Sequence, residues 1–104
     1  MADRPTREFE ASDGTKFVVR DYITGDEKWQ IKKIQIGGLK ATPAELADIT
    51  EKAENKAIEL TVVSVNGETA NVVANVRALP VTIYDELCDF IEPIVSPKKK
   101  SQSS

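Results

Sequence analysis

The segment that opens at Thr42 constrains this chain more than any other. Thr42-Pro43-Ala44-Glu45 puts a hydroxyl side chain at a helix cap, a proline at the first helical position and a glutamate at the third. There, each residue either satisfies or dispenses with an amide that would otherwise lack a partner. Leu46, Ile49, Ala53, Ala57 and Leu60 follow at spacings of three and four, the stripe of an amphipathic helix that must bury one face. Asp48 and Lys52 form a favourable pair one turn apart, which Lys52 and Lys56 partly offset. A chain of 104 residues has room for one domain with one modest core, so the remaining segments must pack on or beside this helix.

Residues 1–6 are polar and include Pro5, which predicts a flexible N-terminus and order from about Arg7. Phe9 and Ala11 then alternate with polar residues, and Phe17 and Val19 do so beyond Ser12-Asp13-Gly14-Thr15. An Asp-Gly turn between alternating runs predicts a β-hairpin, because glycine accepts the positive φ that the turn demands. Thr24-Gly25-Asp26-Glu27 has the spacing of a second capping box, and Lys32 and Lys33 follow towards the far end of that helix. Gly37-Gly38 predicts its stop.

Leu60 to Val73 admits two readings. Thr61-Val62-Val63-Ser64-Val65 is β-branched, and Asn66-Gly67 is a strong hairpin turn. The stripe through Leu60 also continues to Val63, and Asn-Gly is equally able to end a helix. The helical reading is preferred, with the hairpin as its alternative. Val72, Val73, Val76 and Leu79 predict a short helix ended by Pro80. Tyr84, Leu87, Cys88 and Ile91 predict another, capped by Thr82 and ended by Pro93. The expected fold is α+β and mainly α: an N-terminal β-hairpin, then a small domain of three to four helices over residues 7–95. Residues 96–104, rich in lysine and serine, are expected to be disordered.

Fourteen Lys and Arg against seventeen Asp and Glu give a net charge of −3. Three of those cations lie together at Lys98–Lys100, so the folded part is more acidic still and a poor match for nucleic acid. No apolar run is long enough to span a membrane, the start lacks the apolar core of a signal peptide, and the single cysteine cannot form an internal disulfide. Together these predict a protein of a reducing cytoplasm.

There is no histidine, which removes the commonest general base and the Ser-His and Cys-His arrangements. Cys88 lies on an apolar stripe with no basic neighbour, so an inert thiol is expected. Asp85, Glu86, Asp89 and Glu92 crowd the last helix without the alternation and central glycine of a cation loop, and read as a solvated acidic face. The chain is therefore expected not to be an enzyme and to need no cofactor or metal. Trp29, Ile36, Tyr84 and Phe90 are the candidate protein-binding residues. Trp29 and Ile36 lie seven apart, and Phe90 falls off the stripe of its own helix, so that it either touches another protein or packs across a second face.

Three segments in order carry a resemblance: Arg20-Asp21-Tyr22-Ile23-Thr24-Gly25-Asp26-Glu27 after a strand pair, Val62-Val63-Ser64-Val65-Asn66-Gly67, and Leu79-Pro80-Val81-Thr82-Ile83-Tyr84-Asp85. From about Phe9 to Val95 the chain resembles the short form of the tail assembly chaperones of long-tailed bacteriophages. The resemblance implies a protein of the host cytoplasm, absent from the mature virion, that binds the tape measure protein and keeps it soluble while the tail tube polymerises. The tape measure protein is the implied partner, the tail tube protein a second one, and self-association is left open. A tail tube or connector subunit, or a small protein-binding adaptor, is the alternative.

Overall fold

The computed structural model describes residues 4–97. Two strands, β1 (Thr6–Glu10) and β2 (Lys16–Arg20), pair antiparallel with Phe9 opposite Phe17, as the alternation predicts. Their turn is closed by Ala11 N–H donating to the Thr15 carbonyl at 2.8 Å and Thr15 N–H donating to Asp13 Oδ1 at 2.9 Å, with Gly14 at φ 92°. Four helices follow in the chain: α1 (Gly25–Ile36), α2 (Pro43–Thr61), α3 (Val72–Arg77) and α4 (Val81–Val95). Both capping boxes form, Thr24 with Glu27 and Thr42 with Glu45, each hydroxyl accepting from the glutamate amide at 3.2 Å.

The helical reading of Leu60–Val73 is corrected. Helix α2 stops at Thr61, and β3 (Val62–Val65) adds a third antiparallel strand beside β2, in the order β1-β2-β3. Phe17 lies opposite Val65, Val18 opposite Ser64 and Val19 opposite Val62, with a bulge between Val18 and Val19. Asn66 and Gly67 take positive φ of 51° and 84° in a tight turn, bridged by Val65 and Glu68, after which the strand does not continue. Neither reading was complete: the chain makes one strand and a hairpin turn without a second long arm. The β-branched run wins because the free edge of β2 offers it a ladder and its apolar side chains a core.

Three boundaries also move. Strand β1 starts at Thr6, opposite Arg20, one residue before Arg7, and Arg4 ahead of it bonds Glu27; residues 1–3 lie outside the described region. Helix α4 begins at Val81 behind Pro80, and Thr82 sits inside its first turn and is not its cap. Pro93 lies within α4, which runs on to Val95, with Ser96 N–H donating to the Glu92 carbonyl at 2.8 Å. Near a helix end the proline removes a single ladder bond, the one to the carbonyl of exposed Asp89, and the helix continues past it. Of the C-terminal segment only Ser96 and Pro97 are described; residues 98–104 lie outside.

The core sits between the sheet and the helices. Phe17 and Val19 of β2, Val62 and Val65 of β3, Ile58 of α2, Val76 of α3, and Ile83, Leu87, Ile91 and Ile94 of α4 form one buried cluster. Ile58 is off the stripe read from the sequence, yet is among the most buried residues of α2. The first turns of α2, by contrast, are exposed, with Leu46 and Ile49 meeting the loop that follows α1.

Candidate functional site

Four of the six large exposed apolar side chains, Trp29, Ile36, Leu39 and Leu46, lie on α1, on α2 or in the loop between them. Ile31 of α1 is buried against α2 and Ile34 half-buried. The loop between the helices brings Gly38 so close that a Cβ there would lie 3.2 Å from Leu46 Cδ1 and 3.3 Å from Ile49 Cγ2, which is why the second glycine of the pair has no side chain to spare. Below this contact runs an open groove walled by Ile31 and Gln35 of α1, Leu46, Ile49 and Ala53 of α2, and Val95 at the end of α4. Lys28 ties α1 to the end of α4, donating to the Val95 carbonyl at 2.8 Å and to Ser96 Oγ at 2.7 Å.

The four candidate binding residues divide into two pairs. Trp29 and Ile36 are 52% and 53% exposed, on the face of α1 turned away from Ile31 and Ile34, so they share one outward stripe. Tyr84 and Phe90 are half-buried, and each is engaged by a residue of another element. The Tyr84 hydroxyl donates to Glu54 Oε1 at 2.9 Å, and burial, reinforced by that carboxylate, pushes its pKa far above the usual phenol value. Phe90 stacks on Phe9 with centroids 4.5 Å apart, and Phe9 stacks in turn on Phe17 at 5.9 Å. Of the two roles that its off-stripe position allowed, Phe90 takes packing across a second face. Leu46 and Ile49, read only as part of a buried stripe, line the groove; nothing local distinguishes a covered turn of an amphipathic helix from an uncovered one.

Electrostatics tie the N-terminal segment to this unit. The Arg4 guanidinium holds Glu27 through two bonds of 2.7 and 2.8 Å, and also donates to the Tyr22 carbonyl at 3.2 Å. That pairing, with the cap bond from Thr24, lowers the Glu27 carboxyl from 4.5 to about 2. Arg4 stays charged throughout, so the pair's contribution is complete above about 4.5 and is lost as pH falls through about 2. Arg4→Ala is therefore expected to lower the melting temperature at pH 7, with the gap to the parent closing under acid. A carbon-detected titration of the Glu27 side chain should move upward in the variant; an unmoved midpoint would mean that the pair is not formed in solution.

Cys88 is half-buried, and burial raises its thiol pKa, away from the thiolate a nucleophile needs. Asp85, Asp89 and Glu92 are exposed on α4, and Glu86 accepts from Ser12 N–H at 2.9 Å. Among the described residues, no three His, Cys, Asp or Glu side chains gather as a metal site, and no helix is long and apolar enough to cross a membrane.

The fold and this surface define a small α+β protein with a three-stranded sheet and four helices among the described residues. No protein-family model, no curated protein and no solved structure matches the chain.

Proposed function

We propose that this is a non-enzymatic tail assembly chaperone of a long-tailed bacteriophage, which binds the tape measure protein in the host cytoplasm and keeps it soluble until the tail tube encloses it. The observation that carries the reading is the unfilled groove between α1 and α2, lined by Ile31, Leu46, Ile49, Ala53 and Val95. A tape measure protein is long and helical, and before the tube forms its apolar faces have nothing to cover them. An amphipathic helix laid into such a groove buries its stripe against these residues. The three segments behind the resemblance support the same reading: they lie at the joint of β2 with α1, at β3 and its turn, and at the break between α3 and α4.

Co-expression with the tape measure protein of the same phage tests this by sedimentation and pull-down. The tape is expected in the soluble fraction with many copies of this chain, and Leu46→Asp/Ile49→Asp is expected to return it to the pellet while the variant itself stays folded. The strand β3 favours a second reading, a tail tube or connector subunit, since that class is richer in β-structure. An insoluble tape, with this protein present in purified particles, would establish that reading in place of the first.

A further inference from the structure

The outer face of α1 carries charge of the opposite sign to the rest of the molecule. Lys32 and Lys33 lie on the stripe between exposed Trp29 and Ile36, with Lys32 Nζ 5.2 Å from the centre of the indole ring. Elsewhere, Arg4, Arg7, Lys52, Lys56 and Arg77 each pair with a carboxylate, and Lys28 and Arg20 donate to backbone carbonyls. Among the described residues Lys16, Lys32, Lys33 and Lys40 have no carboxylate partner, and of these only Lys32 and Lys33 share one helix face, although the chain as a whole is acidic.

A surface of complementary form exists on the same molecule. Helix α4 presents Asp85, Asp89 and Glu92 to solvent along one side, also without ion-pair partners among the described residues. At the start of that side Val81 is 70% exposed, beside a shallow depression formed with Leu79 and Tyr84 and rimmed by Glu54, which accepts from Tyr84, and Arg77, which pairs with Glu51. Lys32 and Lys33 lie three and four residues beyond Trp29, and Asp85 lies four residues beyond Val81, about 4.5–6 Å along each helix. On each helix the apolar element precedes the charges by roughly one turn, so the two stripes match when the helices run parallel.

We infer that the outer face of α1 docks on α4 of a second copy of this chain, Trp29 entering the Leu79–Val81–Tyr84 depression and Lys32 and Lys33 facing Asp85 and, one turn on, Asp89. The two surfaces differ, so the contact is heterologous and each copy keeps one free end of each kind; copies add head to tail. The inference stands on charge and shape, and its test uses this protein alone, so it holds or fails apart from the chaperone reading.

Sedimentation of the full chain is expected to show concentration-dependent association that weakens as salt is raised. Lys32→Glu/Lys33→Glu, and separately Asp85→Lys/Asp89→Lys, are each expected to weaken it about tenfold or more. An equal mixture of the two variants is expected to associate again, because each then meets the opposite charge at both ends. Trp29→Ala should weaken association without lowering the melting temperature. A parent chain that stays monomeric at about 100 μM in low salt, where a contact of even micromolar strength would be populated, overturns the inference. So does a mixture that associates no better than its components.

Discussion

Phe17→Ala is expected to destabilise the protein by about 3–5 kcal/mol, the range for emptying a fully buried aromatic position. Phe17 is 1% exposed at the centre of β2, opposite Phe9 on one neighbour and Val65 on the other. Its loss empties the middle of the only sheet among the described residues and takes one ring from the stack that runs through Phe9 to Phe90. A domain of this size has about 5–15 kcal/mol to lose, so the variant is expected to be partly unfolded at 37 °C. Urea unfolding should show a lower midpoint at an unchanged slope. Phe90→Ala, at the half-buried end of the stack, is expected to lower the midpoint less. An unchanged midpoint there would mean that the ring contributes nothing to the fold and is free to act as a binding anchor.

The second large effect is expected at Leu87→Ala, about 2–5 kcal/mol. Leu87 has no exposed surface and lies with Ile83, Ile91 and Ile94 on the side of α4 that faces the sheet and α2. Truncation leaves a cavity that a helix fixed at four apolar positions cannot collapse to fill, whereas Leu87→Met keeps the volume and should cost less than about 1.5 kcal/mol. Thermal melts of the pair distinguish packing from helix propensity, in which alanine is no worse than leucine. If Leu87→Ala melts within about 2 °C of the parent, α4 is not docked as described. Leu87 and Phe17 share one cluster, so the double variant should depart from the sum of the two.

The candidate surface was half legible in the sequence. Trp29 and Ile36 form an exposed stripe because nothing within reach of α1 covers that face; the other face of the helix was already taken by α2. Tyr84 lies on the stripe of α4 and Phe90 off it, yet both are held by partners, Glu54 and Phe9, from segments far away in the chain. Spacing on one helix carries no information about which ring or carboxylate another element will bring up.

What the sequence determined by itself is whatever a few neighbouring residues decide. Both capping boxes, the Asp-Gly hairpin turn, the glycine stop after α1 and the stripes of α2 and α4 rest on bonds and periodicities within one or two turns. Tertiary structure alone decided that the β-branched run after Thr61 joins β2 and does not extend α2. It also decided that Ile58 lies at the centre of the core while Leu46 lies at its margin, and that α4 runs on through Pro93. In each of these cases the local preferences are nearly balanced, and the free energy that tips them comes from a ladder edge or a packed neighbour that the local sequence does not contain.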